Sequence, residues 1–425
     1  MKTRVQSILI VIALILAALL PQVQAVSPAP DGCYPNYTTA EGCNALNALT
    51  AGIGNTGVGW YSLFLDIGGS YNTGLGAGTL TLNTADSNTA VGVAALLLNT
   101  SGTENVAVGT GALVYNDSGS DNTAVGAFAL FNSTGPGANT AIGDRTLYNN
   151  MTGDSNVAIG IAGCCGAALF SNTIGRFNTA VGGGALHGNT DGSDNTALGA
   201  GALASDVHGS ENAAVGLNAL VSATGNNNVA LGSNAGNQAV GSDNVYIGYN
   251  MQGTAGESNA CYIKSIFGQT ATGGSAVFID ANNKVGTVTS SNRYKEDIRP
   301  IGKASEALFA LKPIAFHYKK ELDPAGKSQF GLVAEDVDRV NPELVVRDKE
   351  GKPYSVRYEQ VNTMLLNEFL KEHRTVQEQG TTIAELKKEI ASLTATVKEQ
   401  AAQIQNVSAQ VQMNNFTAQV IASKQ

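Results

Sequence analysis

Through most of its first 250 residues the chain sets short apolar triplets between long polar stretches, and it does so on a fixed period. An asparagine opens each unit as Asn-x-(Ala/Gly)-apolar-Gly at Asn55, Asn72, Asn88, Asn105, Asn122, Asn139, Asn156, Asn178, Asn195, Asn212, Asn228 and Asn244; only the last departs, with Tyr246 in third place. Successive intervals are 17, 16, 17, 17, 17, 17, 22, 17, 17, 16 and 16 residues. So short a period is too small for a helix pair or a four-stranded blade, and it suits one coil of a β-solenoid. In the unit NTAVGVAALLLNTSGTE, residues 88–104, Thr89-Ala90-Val91 alternates like a strand and Gly92 permits a sharp bend. The Ala-Leu pairs (Ala95-Leu96, Ala112-Leu113, Ala129-Leu130, Ala185-Leu186, Ala202-Leu203) predict a second short strand in each coil, and the Asn/Ser/Thr/Gly/Asp stretch after them is turn chemistry. Glycine recurs too often for a helix to persist. Stacked coils would line the asparagines up as a ladder, each side chain bonding the turns above and below. The one long interval, 156 to 178, adds five residues around Gly163-Cys164-Cys165-Gly166-Ala167 and predicts a loop bulging from the coil.

After residue 290 the pattern changes to that of a mixed globular domain. GKASEALFALKP, residues 302–313, places Ala304, Ala307, Leu308 and Leu311 at helical spacing, with Pro313 to end the helix. IAFHYKK alternates like a strand, and QFGLVAEDVDRVNPELVV predicts strand, short helix, Asn-Pro turn and strand. VRDKEGKPYSVRY predicts a hairpin around Lys349-Glu350-Gly351, and a long helix begins near Glu359. That helix develops heptads: Ile383, Ile390, Val397, Ile404 and Val411 at one seam position, Leu386, Leu393, Gln400 and Val407 at the other. The pattern is that of a coiled coil. β-Branched residues facing Leu lean toward two strands, while Val407 and Gln400 weaken that lean.

Charge divides the chain in the same place. Residues 26–250 hold 14 acidic side chains against Arg145 and Arg176, a net of −12; residues 251–425 hold 20 acidic and 21 basic, a net of +1. The overall charge of −9 argues against nucleic acid as a partner. The opening MKTRVQSILIVIALILAALLPQVQA has Lys2 and Arg4, an apolar run from Ile8 to Leu20 and a small-residue pattern at Val23-Gln24-Ala25, the layout of a cleaved secretory signal peptide over 1–25. Five cysteines in an exported chain suit an oxidising destination. Cys33 and Cys43 are disulfide candidates in a short N-terminal cap, Cys164 and Cys165 are adjacent, and Cys261 is left over. Four scattered histidines, none spaced with a cysteine pair, give no metal site, and no cofactor is expected.

Two resemblances sharpen this reading. The repeats resemble the head units of trimeric YadA-like adhesins, whose NAVAIG-like motifs build a left-handed parallel β-roll of three chains. The C-terminal blocks SSNRYKEDIRPI, LKPIAFHYK, FGLVAEDVDRVNPELV and SVRYEQVNTMLLNEFLKEHRTVQEQ resemble the peptidase S74 domain, the intramolecular chaperone of phage tailspikes such as the endosialidases and of myelin regulatory factor. That family opens on Ser-Asp-x-Arg-x-Lys, with its Ser and Lys as a self-cleaving dyad. The resemblance therefore implies a nucleophile at Ser290, an arginine at Arg293, a base at Lys295 and a scissile bond between Thr289 and Ser290. Ser291 stands where Asp is usual and competes as nucleophile. Arg293 reads as a structural ion-pair partner, and Glu335, Asp336 and Asp338 as a solvated helix start.

The expected architecture is mainly β: a trimeric β-solenoid shaft, a small α+β chaperone domain and a C-terminal coiled coil. The expected divisions are a cap at 26–53, repeats at 54–250, a connector at 251–289, the chaperone domain at 290–375 and coiled coil with tail at 376–425. The chain reads as an exported, secreted or cell-surface fibre, a homotrimer with a cell-surface or glycan ligand, whose chaperone trimerises the chains and cleaves itself once as a Ser-Lys autopeptidase. The alternative is a tail-fibre-like receptor- or glycan-binding module with an uncleaved chaperone domain. It predicts aromatic clusters on one solenoid face, where Tyr, Phe and Trp are sparse. A released effector is disfavoured by the export signal and the acidic repeats, and a glycosidase by the lack of a placed carboxylate pair.

Overall fold

The computed structural model describes residues 35–422, apart from 136, 162, 164 and 239–240. The expected signal peptide and Cys33 lie outside the described residues. The chain divides after Thr270 into two compact units.

The first unit is a β-solenoid. Fourteen strands of three residues each, from β1 (Thr39–Glu41) to β14 (Cys261–Ile263), pair in parallel and in strict sequence order. Register is constant: Thr89, Ala90 and Val91 face Thr73, Gly74 and Leu75 on one side and Val106, Ala107 and Val108 on the other. The middle residue points inward, so the alanines of successive coils stack into a fully buried column at Ala90, Ala107, Ala124, Ala141 and onward. The ladder extends one strand past the repeat at each end. Thr38 and Ala260 stand there in the asparagine's place, which hid β1 and β14 from the motif.

The asparagine ladder is present. Asn139 accepts at Oδ1 from the backbone amide of Asn156 (3.0 Å) and donates through Nδ2 to the Gly153 carbonyl (3.0 Å). Gly109 shows what the bend demands: its φ is +139°, and a Cβ there would stand 2.5 Å from the Gly126 carbonyl oxygen.

The second strand does not form. The Ala-Leu pairs lie in turns, and Leu96, Leu113 and Leu130 have φ of 50°, 52° and 50°, the left-handed region. The coil must reverse within a few residues, and this conformation drives each leucine into the core. Left-handed backbone costs about 1–2 kcal/mol, whereas full burial of a leucine contributes about 1.5–3 kcal/mol. Burial wins, and the turns still bond from coil to coil, with the Leu96 amide on the Ala112 carbonyl at 2.9 Å. At the added residues, Gly163 and Gly166 form a small isolated bridge outside the named strands, and the stack resumes at Ala168 and Leu169.

The second unit is small. A hairpin of β15 (Val277–Ile279) and β16 (Val285–Thr287) precedes a 3₁₀ turn at Asn292–Tyr294. Residues Gly302–Ala310 form a 3₁₀ rather than an α-helix, ending before Pro313. Then follow β17 (Ile314–Phe316) paired with β18 (Gln329–Gly331), helix α1 (Ala334–Val340), a 3₁₀ turn at Pro342–Leu344, and the hairpin of β19 (Val345–Arg347) with β20 (Pro353–Val356). The long helix α2 runs Tyr358–Ala422. Val337, Leu344, Val345, Val356, Val361 and Met364 form the core, with Ala307, Leu308 and Leu311 packed against it. Beyond this core α2 stands alone, and its heptad residues Ile383, Leu386, Ile390 and Leu393 are exposed. Among the described residues no helix is long and apolar enough to cross a membrane.

Candidate functional site

After β16 the chain reaches Ser291, in extended conformation, and enters the 3₁₀ turn at Asn292–Tyr294. Ser291 caps that turn: its Oγ accepts from the Arg293 amide at 3.4 Å and from Arg293 Nε at 3.3 Å. Lys295 closes it, its amide bonding the Asn292 carbonyl at 3.2 Å. A single 3₁₀ turn between two extended residues folds the five-residue spacing back on itself. Lys295 Nζ donates to Ser290 Oγ at 3.2 Å.

The predicted residues therefore separate by role. Ser290 and Lys295 meet, whereas Ser291 is held by Arg293. Arg293 makes no ion pair among the described residues; its guanidinium lies over the Tyr294 ring, 5.4 Å from the centroid. Thr289, Ser290, Ser291 and Lys295 are all exposed. A lysine amine acts as a base only when burial or a nearby cation favours its neutral form, and in one chain solvent reaches this pair freely. Of the three α1 carboxylates, Asp336 pairs with Arg339 and Asp338 with Arg347, whereas Glu335 is in no ion pair among the described residues. Cys43 is exposed, and its expected pairing with Cys33 lies outside the described residues. Cys165 and Cys261 are exposed too, and no cluster suited to a metal ion occurs among the described residues.

Two features escaped the sequence reading. Ser305, fully buried, bonds Glu368 of α2 and accepts from Asn367 Nδ2 at 2.6 Å, while Lys371 Nζ reaches Glu368 Oε1 at 2.7 Å. This network ties the 3₁₀ helix to α2, and Lys371 then Ser305 hold the Glu368 carboxyl below its usual range. A lone serine among Ala304, Ala307 and Leu308 was the available signal. The second feature is an aromatic stack on the solenoid. Phe131, Tyr148, Phe170 and His187 lie one per coil with centroids 5.1, 5.3 and 5.3 Å apart and planes within 17°. Their intervals of 17, 22 and 17 residues repeat the coil spacing, so sparse aromatics converge in space.

Residues 290–346 match the peptidase S74 family, described as chaperone of endosialidase, and the match begins at Ser290. No curated protein and no solved structure matches the chain.

Proposed function

We propose that the chain is an exported trimeric fibre whose S74 segment chaperones assembly and then cuts the Thr289–Ser290 bond. The observation that carries this reading is the 3.2 Å contact from Lys295 Nζ to Ser290 Oγ at the first residue of the matched segment. Neutral Lys295 takes the Ser290 hydroxyl proton, and Oγ attacks the Thr289 carbonyl carbon through a five-membered ring. The C–N bond breaks as the C–O bond forms, and the Ser290 nitrogen leaves as an amine carrying the proton that Lys295 returns. Water then hydrolyses the ester, freeing the Thr289 carboxylate and restoring the Ser290 hydroxyl. A covalently attached substrate needs no binding affinity, only geometry. Cover from neighbouring chains would exclude water and favour the neutral amine, so cleavage would report complete assembly.

Two surfaces support the trimer. From β2 (Thr56–Val58) to β14 the third strand residue is always Val, Leu or Ile and points outward, and the first is Thr, Val, Ala or Cys. This uncharged ridge lies on the sheet's outer face, with Leu75, Leu198 and Leu231 exposed, and so large an apolar strip calls for a partner. The exposed α2 seam gives the second surface. YadA-like three-chain packing of the repeats is part of this proposal. A glycan-binding platform is less well supported, because the stacked rings cover one another's faces and leave edges to solvent.

The test is expression of wild type, Ser290→Ala, Ser291→Ala and Lys295→Ala, read on denaturing gels. Cleavage in wild type and Ser291→Ala, with intact Ser290→Ala and Lys295→Ala chains, is the expected result. Cleavage surviving in Ser290→Ala but lost in Ser291→Ala would move the nucleophile by one residue.

A further inference from the structure

Besides the ladder that starts each strand, the solenoid holds a second buried polar column three residues after most core leucines, from Leu63 to Leu203. Asn83, Asn99, Asn116, Asn150, Asn172 and Asn189 occupy it, all fully buried. In this column the amide of one coil donates to the oxygen of the coil before: Asn99 Nδ2 to Asn83 Oδ1 at 2.7 Å, Asn116 Nδ2 to Asn99 Oδ1 at 2.7 Å, and Asn189 Nδ2 to Asn172 Oδ1 at 2.8 Å. Ser133 interrupts the column once, leaving its Oγ and Asn116 Oδ1 buried without partners, and the coil after Asn189 interrupts it again. Asp206, also fully buried, replaces the amide with a carboxyl, and Asn189 Oδ1 is left buried with no donor.

We propose that Asp206 is a proton-operated link in the shaft: protonated, its carboxyl donates to Asn189 Oδ1 and completes the column; ionised, it faces that oxygen as a second acceptor and weakens the coil contact. Each carboxyl oxygen of Asp206 already accepts a hydrogen bond, Oδ1 from the Gly209 amide at 2.7 Å and Oδ2 from Asn212 Nδ2 at 3.1 Å. The His208 backbone amide also bonds the carboxyl. The charged group acting on it is His208, which is exposed and bonded through Nδ1 to Asp191 Oδ1 at 2.6 Å. No lysine or arginine pairs with Asp206 among the described residues. Burial pushes the Asp206 carboxyl up to about 6, against the opposing pull of the Gly209 and Asn212 hydrogen bonds. A folded value above the unfolded 3.8 means the folded shaft holds the proton more tightly. Stability then rises as pH falls through about 6 and is lost as pH climbs past it. The contribution of this link is therefore largest on the acid side of that value. The link is independent of chain cleavage.

Urea unfolding of the full chain at pH 8 and pH 5, followed by far-ultraviolet circular dichroism, tests the link. The comparison is wild type against Asp206→Asn, the residue that serves elsewhere in the column. Between pH 8 and 5 Asp206 should raise the folding equilibrium of its cooperative unit about ten-fold. Asp206→Asn should lose that share of the shift and be at least as stable as wild type at pH 8. Asp66, the other buried carboxyl of the column, titrates in both proteins and cancels in the difference. His208→Asn should keep the shift. An unchanged shift in Asp206→Asn, a variant weaker than wild type at pH 8, or one that fails to fold would overturn the proposal.

Discussion

Asn139 shows what a single amide does in a shaft with little hydrophobic bulk. Replacing it with Ala strips Gly153 and Asn156 of buried hydrogen bonds. Each buried polar group left unpaired costs about 1–3 kcal/mol, so Asn139→Ala should lower stability by about 2–4 kcal/mol in urea titrations, while a surface change such as Thr100→Ser should leave it nearly unaltered. Gly109→Ala demands more, since its Cβ would meet the Gly126 backbone; the expected outcome is a chain recovered only as aggregate. At this scale the ladder that starts each strand was legible because it fixes the repeat. The second column was not singled out, although it follows the same period, because Asp66, Ser133 and Asp206 interrupt it with residues that look like ordinary turn formers.

Elements were legible where a pattern had one physical solution. The short strands of the coils, the Asn-Pro turn and the hairpin of β19 and β20 follow from alternation and turn chemistry. The β15–β16 hairpin, by contrast, fell in the stretch read as a connector. The Ala-Leu segments misled, because an apolar pair between polar residues suits a strand or an inward left-handed turn equally well, and only the closure of the coil decides. The spacing of Gly302–Ala310 likewise carries no sign that Ser305 bonds Glu368 of α2, a contact between residues 63 apart in sequence. Helix α2 leaves an apolar seam open that a lone helix has no reason to keep. Ile390→Lys should raise the dissociation constant of assembly at least ten-fold, measured by light scattering on a size-exclusion column; an unchanged oligomer would show that the seam is not the contact.

For the whole molecule, the repeat supplies an acidic, nearly lysine-free shaft, and the matched segment supplies a reason to attach a mixed-charge domain to it. In the proposed assembly, long shafts must meet in register, and their apolar ridges stay open to wrong contacts until they do. Expression of residues 26–289 without the rest should therefore yield mostly insoluble material, with soluble trimers restored when the full chain is expressed. The pairing of Ser290 with Lys295 was legible from the motif's spacing. Its exposure in the single chain was not, because a motif carries no information on burial. The most direct measurement is N-terminal sequencing of the small fragment released from purified, assembled wild-type protein by denaturation. The account predicts a fragment whose first residues are Ser290, Ser291 and Asn292. Correctly assembled wild-type trimers that run as a single intact chain would contradict it.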